Sequence, residues 1–214
     1  ILGGSWGGYL ALGGATLLAP SPSPSQDTLS ALHHSPLSPP SPPVSPPLLH
    51  PRYVAAVAIV PLVSVGKANT STSFRGDPLV ARYWRQIYGT EVSDYQQAAE
   101  ALSPMCHSEQ LQGINLLLVH GEDDPRVPQE HGDRVASAAK SLNVPGAYVT
   151  YSQEGHSIRR EANVLHLWHM VERFLCASLE LPAAPSVLGD SELMAKNTAT
   201  IQHWRSHAGL SPLK

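Results

Sequence analysis

Charge is scarce in this chain: Asp, Glu, Lys and Arg together make up 14% of its 214 residues, and the formal net charge is −3. With no basic surplus to hold phosphates, a nucleic-acid partner or an anionic membrane surface is not expected. Two cysteines, Cys106 and Cys176, are too few and too far apart for a disulfide framework or a metal knuckle. Apolar runs stay well short of the ~20 residues that span a bilayer, so no membrane segment is expected. Neither a G-x-G-x-x-G fingerprint nor a phosphate-cradling P-loop occurs, so no cofactor is implied. His166 and His169 stand three apart with no acid or third ligand beside them, which predicts solvent-facing histidines and no metal site. The first residue is Ile rather than Met, so the true start of the protein is expected to be missing and no compartment is read.

What is present begins with an apolar content of 42%, enough for one domain with a hydrophobic core. Residues 19–50 stand apart, with ten prolines and eight serines in 32 positions. Proline lacks the amide donor for a helix or sheet ladder, which predicts a solvated, irregular insertion. Its PxxP spacings also suit an SH3- or WW-type partner, a weaker alternative to a plain insertion. Asn69-Thr70-Ser71 is a glycosylation sequon, meaningful only in a secreted protein.

Elsewhere the pattern alternates between strand and helix. Tyr53–Val60, Ile114–Val119 and Ala147–Tyr151 are short apolar runs that predict buried parallel strands. Between them, Gln129–Leu142 carries Val135, Ala138, Ala139 and Leu142 at helical spacing. Glu161–Leu179 puts Val164, Leu167, Trp168, Val171, Leu175 and Leu179 on one helical face. This order predicts an α/β fold, a parallel sheet covered by helices on both sides. Residues 181–214 show little periodicity and are expected to form a loose tail.

Three places carry candidate chemistry. Gly3-Gly4-Ser5-Trp6-Gly7 reads G-x-S-x-G, with an apolar pair before it and a plausible helix, Tyr9–Leu18, after it. In a nucleophile elbow the serine sits on a strained turn, flanked by glycines because side chains would collide, and the next amide, here of Trp6, faces the oxyanion. A simple glycine turn has the same letters. Downstream, Glu122, Asp123 and Asp124 follow a strand end, where open α/β sheets place their ligands. His156 follows the next strand. Serine, acid, histidine is the chain order of α/β-hydrolases. Singly, the acid could be a helix cap or loop carboxylate, and His156 is one of eleven histidines.

Together, Gly3-Gly4-Ser5-Trp6-Gly7-Gly8-Tyr9, His120-Gly121-Glu122-Asp123-Asp124-Pro125-Arg126-Val127-Pro128 and Glu154-Gly155-His156 resemble the prolyl oligopeptidase family of serine peptidases. The resemblance implies an α/β-hydrolase catalytic domain whose N-terminal strands are missing here. It spans residues 1–18 and 51–180, with a triad of Ser5, Asp124 (not Asp123) and His156. It implies that Arg126 binds a substrate backbone carbonyl, although a surface ion-pairing arginine fits equally. Removing the 32 inserted residues shortens the Ser5–Asp124 interval from 119 to 87, which suits the family better. The implied activity is hydrolysis of peptide or acyl-peptide bonds through an acyl-serine, with a peptide as substrate. The alternatives are a carboxylesterase, a dienelactone-type hydrolase, or an inactive truncated fragment with open sheet edges.

Overall fold

A computed structural model of the chain describes residues 1–16, 53–64, 101–182 and 192–205, together with Arg82 and Gln86. The Pro/Ser-rich stretch and the sequon lie outside the described residues. The elements run β1 (Leu2–Gly4), α1 (Trp6–Thr16), β2 (Ala55–Ile59), a 3₁₀ helix (Pro104–Leu111), β3 (Asn115–Gly121), α2 (Glu130–Ser141), β4 (Gly146–Tyr151), α3 (Glu161–Ser178), a short 3₁₀ turn (Met194–Lys196) and β5 (Ala199–Arg205).

The five strands form one sheet in chain order, β1-β2-β3-β4-β5. The first four are parallel and β5 runs antiparallel to β4. Successive side chains on a strand point to opposite faces, and here both faces are covered. Ala56, Ala58, Leu116, Leu118 and Tyr148 therefore join Leu12 and Ala15 of α1 and Val135 and Ala139 of α2 in one core. Ala55, Val57, Leu117, Val119, Ala147, Val149 and Tyr151 face the other way, onto Leu167, Met170, Val171 and Phe174 of α3. That double burial is why these strands read as unbroken apolar runs. Removing most of one such side chain, as in Leu117→Ala, destabilises a core by about 2–5 kcal/mol.

The α/β architecture and the parallel sheet agree with the sequence reading, and two elements differ from it. On α3 the buried residues are Asn163, His166, Leu167, His169, Met170, Val171 and Phe174, while Trp168 is 46% and Leu179 49% exposed. The inward face is rotated because two polar residues on it have partners inside. Asn163 bonds Glu154 and Thr198, and His166 Nδ1 accepts from the Tyr151 hydroxyl at 2.9 Å. The two α3 histidines are thus buried, against the expectation of solvent exposure.

The expected loose tail instead contains β5, held by a ladder to β4 from Ala199↔Tyr151 to Arg205↔Gly146. Its Ala199 and Ile201 rest on the α3-side core. Ladder bonds and one apolar side suffice for an edge strand, whose own sequence carries little pattern.

Candidate active site

The carboxyl ends of β1, β3 and β4 lie along the same edge of the sheet, with β2 between β1 and β3, and each leads into one of the three candidate segments. Ser5 sits between β1 and α1. Its amide donates to the Ile59 carbonyl at 2.9 Å, and its carbonyl accepts from the Tyr9 amide at 3.0 Å, opening the helix. Its φ is 55°, a left-handed conformation that a side-chain-bearing residue adopts only when surroundings force it.

One flanking glycine explains the turn's tightness. A Cβ on Gly3 would lie 2.1 Å from the Gly7 carbonyl oxygen. The expectation that glycine is needed on both sides is corrected at Gly7, where a Cβ would meet nothing within 4 Å. The crowding is one-sided: the Gly7 backbone fills the place of a residue-3 side chain. Trp6 opens α1, with its ring set edge-on to Tyr9 at 5.4 Å.

Asp124 lies in the loop after β3 and is 6% exposed. Its Oδ1 accepts the backbone N–H groups of Arg126 at 2.8 Å and Val127 at 2.9 Å. That leaves Oδ2 for His156, whose Nδ1 is 2.7 Å away. With the imidazole proton on Nδ1 donated to Asp124, Nε2 is left as an acceptor, and it lies 2.8 Å from Ser5 Oγ. The structure therefore brings Ser5, His156 and Asp124 into one hydrogen-bonded chain across 151 and 32 residues of sequence.

His120 is a second imidazole near the same carboxylate, with Nε2 3.7 Å from Asp124 Oδ2. The shorter contact is with the Val127 carbonyl at 2.8 Å, so His120 donates there and braces the acid's loop from below. Burial holds its pKa below the ordinary histidine value, which keeps it neutral and no rival ion partner for Asp124. Arg126 is exposed, and its backbone amide serves Asp124.

The sequence reading missed Glu154, which is 3% exposed. Its carboxylate accepts the amides of Arg159 and Arg160 at 2.9 Å each and the Asn163 side-chain amide at 2.8 Å. The available signal was its place in Glu154-Gly155-His156, a short way before the asparagine in the first turn of α3. Gly121 was also passed over. A Cβ there would fall 2.3 Å from the Gly155 carbonyl oxygen and 2.5 Å from that of Glu154, so glycine lets the acid and histidine loops touch. Among the described residues no group of three or more His, Cys, Asp or Glu gathers as metal ligands.

A mostly parallel sheet with a serine turn, an acid loop and a histidine loop at the carboxyl ends of its strands defines the α/β-hydrolase class. The prolyl oligopeptidase family model matches residues 49–181. The chain belongs to the prolyl oligopeptidase family. The match includes Asp124, Arg126 and His156, whereas Ser5 lies before it and joins the site through the geometry above.

Among curated relatives, dipeptidyl peptidase family member 6 of Caenorhabditis elegans is 27% identical over 116 residues, covering 52% of this chain and 16% of the relative. Dipeptidyl aminopeptidase BIII of Pseudoxanthomonas mexicana is 34% identical over 83 residues, 39% of this chain and 12% of its own length. The chain thus spans less than a fifth of either. Its fold is similar to that of puromycin hydrolase, with a TM-score of 0.58 and 18% identity over 86% of this chain and 22% of that one. A Mycobacterium tuberculosis puromycin-hydrolyzing peptidase gives 0.51 and 23%, over 60% and 19%.

Proposed function

We propose that Ser5, His156 and Asp124 are the catalytic triad of a serine peptidase that cleaves peptide or acyl-peptide bonds through an acyl-serine. The observation that carries this reading is the continuous pair of bonds, Ser5 Oγ to His156 Nε2 at 2.8 Å and His156 Nδ1 to Asp124 Oδ2 at 2.7 Å. Membership of a peptidase family supports peptide over simple ester as the natural substrate.

In this mechanism Ser5 Oγ attacks the scissile carbonyl as its proton passes to His156 Nε2. The backbone N–H of Trp6 faces the oxygen that becomes negative. The carbon–nitrogen bond then breaks, and His156 returns the proton to the leaving amine. Water, deprotonated in turn by His156, releases the acyl group from Ser5. Asp124, its other oxygen already tied to two amides, fixes the imidazole tautomer and stabilises the imidazolium. Arg126 binds a substrate backbone carbonyl beside the site.

The test is labelling by a fluorophosphonate, which reacts with an activated serine. In the protein carrying this chain, Ser5→Ala should abolish labelling and lower hydrolysis on the order of 10⁴-fold or more. Labelling that survives in Ser5→Ala would assign the reactive serine elsewhere. Paired peptide-amide and ester substrates then separate the peptidase from a carboxylesterase.

A further inference from the structure

We infer that Glu154, Asn163 and Thr198 form a positioning device that fixes the His156 loop, an inference that rests on the triad reading above. His156 lies between two anchors. On its N-terminal side Glu154 is buried, and its backbone carbonyl accepts the Asp123 amide at 2.9 Å, tying the histidine loop to the acid loop. On its C-terminal side the amides of Arg159 and Arg160 both donate to the Glu154 carboxylate at 2.9 Å. The loop's two ends are therefore clamped by one side chain, with His156 at the bend.

The clamp is itself held from outside the loop. Asn163, in the first turn of α3, donates from Nδ2 to Glu154 Oε1 at 2.8 Å. Its Oδ1 accepts the Thr198 amide at 2.8 Å. The Thr198 hydroxyl donates to the Ser152 carbonyl at 2.8 Å, and Ser152 returns its amide to the Thr198 carbonyl at 3.3 Å. Thr198 directly precedes β5 and lies beyond the matched residues 49–181. The segment leading into β5 thus closes a ring of hydrogen bonds around the histidine's loop.

None of these three residues touches Ser5, so they act through His156. A Glu154 that merely stabilised the fold would change how many molecules are folded, not how fast a folded one reacts. Misplacing a catalytic group by about 1 Å can cost on the order of 100-fold in rate.

The deciding variant is Glu154→Gln, which keeps the shape and sets an NH₂ against a donor amide. Fluorophosphonate labelling is followed in time, giving an amplitude (the folded fraction) and a rate constant. The expected result is a fall of about tenfold or more in the rate constant per folded molecule. Thr198→Val, which removes the hydroxyl and keeps the amide bond to Asn163, should give a smaller fall in the same direction. A reduced amplitude with an unchanged rate constant in both variants would overturn the inference. A second readout is the downfield proton resonance of His156 Nδ1–H, recorded in the Ser5→Ala background. It should shift or broaden in Glu154→Gln. If wild type fails to label, the triad reading falls, and this resonance alone decides the positioning: unchanged in Glu154→Gln, it overturns the inference.

Discussion

At the residue scale, two neighbouring acids show how much surroundings decide. Asp123 is exposed, and its described bond is a backbone amide to the Glu154 carbonyl at 2.9 Å. Asp124 is buried, tied by two amides and aimed at His156. Asp124→Asn replaces an acceptor-only carboxylate with an amide that cannot hold the same imidazole tautomer. It should lower kcat by about 10⁴-fold, the loss seen when a triad acid becomes its amide. Asp123→Asn should leave kcat within about threefold, since no described side-chain bond is lost. Steady-state kinetics of the two variants check this, and equal losses would mean the wrong acid has been assigned. Ser5, Asp124 and His156 were legible as candidates: chain order and the glycine pattern marked the serine and the histidine, and the family resemblance chose Asp124 from three adjacent acids. Glu154 was not, because its role arises from partners five, six and nine residues away that only a folded loop gathers.

At the scale of elements, α3 explains where periodicity misled. Histidine and asparagine count as polar in any pattern, so the pattern turned the helix to place Trp168 inward. The fold instead satisfies both residues with partners and buries them. Burial drives the pKa of His166 down to about 4, and that of His131 on α2 likewise to about 4. Burial also pushes the Tyr151 phenol up, so it keeps its proton and donates it to His166. Each histidine thus has a folded pKa below its unfolded value near 6.5. Their contribution is complete above about pH 6.5 and is lost as pH falls from there toward 4, on the order of a few kcal/mol for the pair. Melting temperature should therefore drop between pH 7 and pH 5, and less so in His166→Gln, which has no proton to gain. Parallel pH curves for wild type and His166→Gln would refute the assignment. β5 escaped the sequence for a different reason: an edge strand is specified by the neighbour it pairs with.

For the whole molecule, the connection between α1 and β2 is the place to test domain organisation. A Cβ on Gly14 of α1 would lie 3.2 Å from the ring of Tyr53, just ahead of β2, so the two sides of the Pro/Ser-rich stretch already meet. A short connection can close that distance, and lengthening a flexible loop adds only about 0.6 kcal/mol of closure entropy per doubling. Deleting residues 19–50 should leave the melting temperature equal or slightly higher, and fluorophosphonate labelling of Ser5 nearly unchanged. Loss of both would show that the stretch contributes to the fold.

The span between Ser5 and His156 has a consequence of another kind. Ser5 is synthesised 151 residues before His156, the imidazole it bonds in the folded chain. In between, the amide of Ser5 must find Ile59, and the acid loop must form at the end of β3. The ring around the histidine then waits for Thr198. A partly made or partly unfolded chain on the proposed reading therefore holds an unactivated hydroxyl and nothing that cuts. On that reading, cleavage is tied to completion of the fold by the order of the chain itself, because Ser5, Asp124 and His156 meet only once β4 has joined the sheet.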